Sequence, residues 1–241
     1  MGTGPDEGDW SSVNRQPRPR ARVVLLTGPS GSGKSSLAAR TGLPVLRLDD
    51  FYREAGDPAL PRLPDGATDW DSPLSWDAGT AVAAVTALCH AGRTAVPVYD
   101  IATSARTGET AFDIADAPLF VAEGVFAADI AERCRAAGVL ADVLCLRGRP
   151  ATTFRRRLAR DLREGRKPAA VLVRRGWRLM RAERSIVARH AALGAHPCGR
   201  DEALARIAAV ARPAADGKVP APRPAPARTP AEPVPSAQPT P

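Results

Sequence analysis

The sequence predicts a doubly wound α/β fold around a parallel sheet, on three observations. Short apolar runs recur along residues 21–212, most are apolar on both faces rather than alternating, and helix-forming stretches separate them. Val23 to Thr27 is the first strand, and Leu37 to Arg40 opens the helix behind it. Val45 to Leu48 is the second strand. An irregular stretch follows from Arg53 to Ser75, with Pro58, Pro61, Pro64 and Pro73 among Trp70 and its neighbours and Trp76 just beyond. A loop this long inside a compact domain is usually functional, and it is placed to cover an acceptor substrate. Asp77 to His90 has Ala, Val and Leu at helical spacing, with Asp77 at the start and Gly92 just past the end. Further strands are expected at Val96 to Tyr99, Leu119 to Ala122 and Ala141 to Leu146. Helices are expected over Ala127 to Ala137 and Ala151 to Glu164, and one long helix over Val171 to Leu193, interrupted at Gly176.

With 241 residues, 44% of them apolar, the chain can bury one good core. Residues 21–212 are read as that domain. Residues 1–20, rich in Gly, Pro and charge, are expected to be disordered, as is the tail from Pro213 to Pro241, where ten of 29 residues are proline. No stretch has the apolar length of a secretory signal or a membrane span, and Asp6 stands where a myristoylation motif wants Ser or Thr. A cytoplasmic protein is expected. Cys89, Cys134, Cys145 and Cys198 are widely spaced, and His90, His190 and His196 form no doublet near them. Neither a disulfide framework nor a metal site of protein ligands alone is indicated.

The net charge of +8 is local in origin. Between Arg147 and Arg189, 15 Lys or Arg face only Asp161, Glu164 and Glu183, a balance of +12 that exceeds the whole. A segment that faces a triphosphate has its own reason to be basic.

That triphosphate is indicated by Gly28-Pro29-Ser30-Gly31-Ser32-Gly33-Lys34-Ser35-Ser36, which fits G-x-x-x-x-G-K-[ST] between a strand and a helix. The glycines let successive N–H groups point inward as an anion nest, Lys34 can reach the outer phosphates, and Ser35 can ligate Mg²⁺. The loop places the chain in the P-loop nucleoside triphosphate hydrolase/kinase fold. Its only Asn and Gln residues, Asn14, Gln16 and Gln238, lie in the expected tails. It therefore lacks both the guanine-reading Asn-Lys-x-Asp and the water-orienting Gln of a GTPase, and it has no L-S-G-G-Q signature of a transporter ATPase.

A small-molecule kinase is the reading that remains. Leu48-Asp49-Asp50-Phe51-Tyr52 closes the second strand at the carboxyl edge of the sheet, where a carboxylate can take a hydroxyl proton. Glu123 ends another strand and can hold Mg²⁺. Arg155, Arg156, Arg157, Arg160, Arg163 and Arg166 line a helical run whose guanidiniums can pair with phosphate oxygens.

Together these motifs resemble those of the uridine kinase family, related to phosphoribulokinase, over about residues 22–195. The family phosphorylates the 5′-hydroxyl of nucleosides with ATP and Mg²⁺. Asp49-Asp50-Phe51-Tyr52 is similar to its Asp-x-Phe-Tyr, which implies Asp49 as general base, near the metal, and Tyr52 beside the acceptor. Asp69-Trp70-Asp71-Ser72-Pro73 resembles Asn-Phe-Asp-His-Pro, so Asp71 would bind ribose hydroxyls and Trp70 would form an aromatic wall. Val96-Pro97-Val98-Tyr99-Asp100 implies that Tyr99 contacts the nucleoside, and Ala122-Glu123-Gly124 matches the Glu-Gly near the metal. Arg156, Arg157 and Arg160-Asp161, followed by Gly165-Arg166, look like a helical lid, with Arg156 at the transferring group and Arg157 and Arg160 on the nucleotide.

One span departs from the family. Where an aromatic and then His-Ser-Arg would read a pyrimidine, this chain has Ile101-Ala102-Thr103-Ser104-Ala105-Arg106, leaving Ser104 and Arg106 as the residues facing the base. The expected acceptor is thus a nucleoside, most readily uridine or cytidine. The alternatives are a non-nucleoside alcohol such as pantothenate or a sugar phosphate, and an ATP-dependent RNA-binding protein using the arginines of 147–189. The last has only Phe154 and Trp177 for base stacking in that segment. No membrane partner is expected, and a homo-oligomer is left open.

Overall fold

The structure is a computed structural model that describes residues 18–147 and 184–212. Its centre is a five-stranded parallel sheet in the order β2-β5-β1-β6-β7, where β1 is Arg22–Thr27, β2 Val45–Arg47, β5 Leu119–Glu123, β6 Leu140–Leu146 and β7 His196–Cys198. From Val23 to Thr27 every residue of β1 is buried. Because side chains alternate across a strand, Val23 and Leu25 enter one core and Val24 and Leu26 the other. The first core packs under α2 (Ala78–Ala91) and α3 (Ala131–Ala136), with Phe51, Val85, Leu88 and Phe120. The second packs under α1 (Lys34–Ala39) and α5 (Arg200–Ala211), with Leu37, Val121, Leu144 and Ile207. Residues 184–192, α4, are helical. Covering both faces is what lets strands be apolar all round, and it confirms the doubly wound architecture. Among the described residues no helix is long and apolar enough to cross a membrane.

Asp77 caps α2, accepting the Thr80 N–H at 3.0 Å, and Gly92 closes it at φ 80°. The two ends are where the sequence places them. Ala127 to Ala137 begins instead as a 3₁₀ turn, Ala127–Ile130, before α3.

The expected strand Val96 to Tyr99 is not part of the parallel sheet. It belongs to β3 (Arg93–Asp100), which pairs antiparallel with β4 (Ala105–Asp113) as a separate hairpin. Its apolar residues are buried only in part: Val96 and Pro97 are buried, but Val98 stays 40% exposed. β4 escaped the sequence reading because Thr107-Gly108-Glu109-Thr110 is polar and exposed. β7 and α5 escaped it too: three residues, His196–Cys198, show no periodicity, and α5 is interrupted by charge on its outer face. The expected helix Ala151 to Glu164, most of Val171 to Leu193, residues 1–17 of the expected N-terminal tail and the whole C-terminal tail lie outside the described residues, while Arg20 is described and pairs with Asp116 at 3.1 Å.

Candidate active site

The strand β1 delivers Thr27 to the carboxyl edge of the sheet, and the chain turns at once through the glycine-rich loop. Gly28, Gly31 and Gly33 have φ of 140°, 82° and 97°, a region that side chains other than hydrogen rarely adopt. At Gly28 space forbids one as well: a Cβ would lie 2.4 Å from the Leu146 carbonyl oxygen at the end of β6. The loop thus nests against two strand ends. Lys34, almost fully buried, donates from Nζ to Gly28 O at 2.9 Å and approaches Pro29 O at 3.4 Å, so its ammonium lies inside the turn.

Beside it, Ser35 Oγ donates to Glu123 Oε1 at 2.8 Å. Burial pushes the Glu123 carboxyl above its ordinary range, opposed by the Lys34 charge and the Ser35 hydrogen bond. Its other oxygen, Oε2, is buried without a hydrogen-bond partner, and so is Ser32 Oγ. Orphaned buried polar atoms are rare in folded proteins, and two at one phosphate loop mark a place built to meet a polar ligand.

Asp49 and Asp50 lie on a 3₁₀ turn, Leu48–Phe51, at the end of β2. Asp49 Oδ1 accepts the Val125 N–H at 3.1 Å, which holds it against the turn that follows Glu123. Gly124 makes that approach possible, since a Cβ there would stand 2.8 Å from Leu48 Cβ and 3.0 Å from Asp49 Oδ1. Asp50 points to a different partner, Arg47 at 3.5 Å, and burial raises its carboxyl pKa. Lys34, Ser35, Asp49 and Glu123 therefore converge on one strand edge, as the sequence leads one to expect.

Next to them stands an aromatic cluster. Tyr52 contacts Trp70, Tyr99 and Phe126 with ring centroids 6.1, 5.9 and 5.9 Å apart. Phe126 in turn meets Trp76, whose Nε1 donates to Leu48 O at 2.7 Å. The structure thus brings together Tyr52, Trp70 and Tyr99, which the sequence singled out, and adds Phe126, which it missed. Phe126 was detectable only as an aromatic three residues past Glu123. Trp76 pins the loop to the core, whereas Trp70 is half-buried at the rim.

The hairpin turn is tied to the start of the long loop by three contacts. Tyr99 Oη donates to Arg53 O at 3.1 Å, Ala55 N donates to Ser104 O at 2.8 Å, and Arg106 N donates to Glu54 Oε1 at 3.0 Å. Ser104 also hydrogen-bonds the Tyr99 hydroxyl, whose pKa burial raises. A cleft of about 470 Å³ opens there, with Arg53 paired to Asp57 at 3.0 Å and Arg106 to Asp77 at 3.5 Å. Asp71 is exposed at the loop surface, its N–H donating to Asp69 Oδ1 at 3.1 Å. Arg156, Arg157 and Arg160 lie outside the described residues.

Comparison with known proteins gives a likeness in structure. No protein-family model matches the chain, and no curated protein does. Among solved structures, the chain superposes with a TM-score of 0.53 on a candidate fructose transport system kinase from Silicibacter sp. TM1040, at 23% identity over 72% of this chain and 87% of that one. A possible uridine kinase from Bacillus stearothermophilus aligns with a TM-score of 0.41 at 23% identity, over 56% of this chain and 74% of that one. The first likeness fixes the fold: a parallel sheet with flanking helices and a phosphate loop at its carboxyl edge.

Proposed function

We propose that the chain is an ATP-dependent kinase that moves the γ-phosphoryl group to a hydroxyl of a small molecule, with the 5′-hydroxyl of a nucleoside, uridine or cytidine, as the leading acceptor. The observation that carries this reading is the convergence of Lys34, Ser35, Glu123 and Asp49 beside a wall of aromatic rings. A switch or a motor has no use for the second half of that arrangement.

In this reading the loop N–H groups and Lys34 hold the β- and γ-phosphates of ATP. The Asp49 carboxylate faces the acceptor hydroxyl and takes its proton as the new O–P bond forms and the bond to ADP breaks. Tyr52, Trp70 and Tyr99 position the acceptor, and a flat wall of this kind suits a ribose or base face. The donor set fits Mg²⁺, which is held by few protein groups and completes its shell with phosphate and water oxygens. Ser35 and Glu123 supply a hydroxyl and a carboxylate whose buried Oε2 has no other partner, while among the described residues no three metal-ligating side chains cluster. When bound, Mg²⁺ would neutralise charge on the transferring phosphate. Asp49 accepts from Val125 N with Oδ1, which leaves Oδ2 for the acceptor hydroxyl or for the ion.

A non-nucleoside alcohol is the second reading, favoured by the hairpin turn. Ile101 is 45% exposed, and the Ser104 hydroxyl is engaged with Tyr99. Nothing in that turn then reads a pyrimidine edge. Both arginines of the adjacent cleft are paired with carboxylates, which favours an uncharged alcohol over a sugar phosphate or pantothenate. The test is ADP release from ATP and Mg²⁺ with uridine, cytidine, adenosine, guanosine, fructose, pantothenate, ribulose 5-phosphate and no acceptor. Turnover with a nucleoside supports the leading reading and turnover with fructose the second. Release of ADP that no acceptor stimulates would count against a kinase of this kind.

A further inference from the structure

His190 is a titratable group that the reaction above leaves unused, and it is 1% exposed on α4. Its Nδ1 lies 3.2 Å from Thr27 Oγ1 and 3.7 Å from Cys145 Sγ. A threonine hydroxyl has one proton, and Thr27 donates that proton to Val125 O at 2.8 Å. Thr27 can therefore only accept from the ring, which places a hydrogen on Nδ1. Beyond Thr27 the sequence of bonds continues. Val125 receives through its carbonyl and donates through its N–H to Asp49 Oδ1 at 3.1 Å. A single ordered path thus runs from α4, through the last residue before the phosphate loop, to the carboxylate that faces the acceptor.

The path is buried at His190 and Thr27 and half-buried where it reaches Val125 and Asp49. Thr27 is fully buried, and the next residue is Gly28, where a Cβ would stand 2.4 Å from Leu146 O. α4 itself is fixed on its other side, where Arg189 pairs with Asp129 and Arg189 Nη1 lies 3.3 Å from Asp129 Oδ2. Asp129 sits on the turn four residues past Val125. The Arg189–Asp129 pair thus holds α4 directly to the segment between Glu123 and Ile130, and His190 reaches the same segment through Thr27. Any buried imidazole needs a polar partner; what sets His190 apart is that its partner, Thr27, continues through Val125 to Asp49.

We propose that His190 is a positioning residue for phosphoryl transfer: through Thr27 and the two peptide groups that flank the Val125 Cα it fixes the Asp49 carboxylate and the mouth of the phosphate loop. The proposal rests on the kinase reading for its effect on turnover. Its structural half stands on the hydrogen-bond path alone. Burial, with help from the Arg189 and Lys34 charges and against Asp129, pushes the ring's pKa down to about 4, so at neutral pH the donor is an uncharged imidazole.

The variants separate this role from packing. Thr27→Val keeps the shape and removes the hydroxyl. His190→Asn presents an amide N–H close to where Nδ1 stands, whereas His190→Gln presents it nearer the Nε2 position. In the full chain, Thr27→Val and His190→Gln are expected to lower kcat about tenfold while the KM for ATP stays within about twofold, with His190→Asn close to wild type. Combining Thr27→Val with His190→Gln should add little to either alone, because both cut one path. Hydrogen exchange at the Val125 amide provides a readout that needs no acceptor, and it should quicken about tenfold in the two disruptive variants and not in His190→Asn. Unchanged kcat in Thr27→Val, or equal losses in His190→Asn and His190→Gln, would overturn the proposal. If wild type phosphorylates no acceptor, the kinase reading falls, and Val125 exchange decides alone: protection unaltered in Thr27→Val rejects the path.

Discussion

In the kinase reading proposed above, the nucleotide side is Gly28, Lys34 and Ser35, which belong to one nine-residue loop and meet two strand ends from elsewhere in the chain, at Glu123 and Leu146. On the acceptor side, Tyr52, Trp70 and Tyr99 come from three segments, and contacts such as Tyr99 Oη to Arg53 O join residues 46 positions apart. The first half is a backbone conformation, fixed by where side chains are absent. The second is a set of side-chain contacts in which each holds a fraction of the geometry. Such a division lets acceptor preference drift while the transfer chemistry stays put. It also means that single changes should damage the two halves unequally.

The largest loss is expected from Lys34→Ala. Lys34 is the one lysine among the described residues and its ammonium lies inside the loop, so turnover should fall by roughly 10²–10³-fold or more, with ADP release as the readout. A loss of only a few-fold would remove the asymmetry between the halves.

Gly28→Ala comes next, because its Cβ cannot coexist with Leu146 O at 2.4 Å and φ 140° is strained for any side chain. Strain of this kind costs about 1–3 kcal/mol, and each kcal/mol lowers the Tm of a domain this size by about 2–4 °C. Thermal unfolding should show that fall together with weakened ATP binding.

A third expectation concerns pH. The His190 ring titrates near 4 in the fold and near its ordinary 6.5 when unfolded. Between those values the unfolded chain takes up a proton that the folded chain refuses. Stability is therefore full above pH 6.5 and declines as pH falls toward 4. Melting curves across that interval should show the decline, and His190→Asn should flatten it.

The smallest effect belongs to the acceptor side. Tyr99→Phe removes one hydroxyl from a hairpin that two other contacts still hold, so the acceptor KM should rise by about 3–10-fold with the KM for ATP unchanged. A larger loss would show that the acceptor side is as brittle as the loop.

The same difference explains what the sequence revealed. Gly28 to Ser36 is legible because spacing alone encodes its conformation, and Asp49 and Glu123 are legible because they end apolar strands at the edge where such folds bind ligands. β7 and the polar strand β4 were not, since three residues or a run such as Thr-Gly-Glu-Thr carry no period until a partner strand supplies one. Val96 to Tyr99 was read correctly as extended and assigned to the wrong sheet, because a short apolar run does not name its neighbour. Phe126 and the path from His190 to Asp49 depend on contacts across 50 or more residues, which no local pattern encodes.

The proposal's centre is that Asp49 takes the acceptor's proton and has no part in holding ATP. It is tested most directly by measuring ATP affinity and acceptor phosphorylation side by side in wild type and Asp49→Asn, with the best acceptor from the panel. Affinity within about twofold of wild type, with turnover down by at least about 10²-fold, is the predicted result. Turnover preserved in Asp49→Asn, or lost only in proportion to ATP affinity, would contradict it.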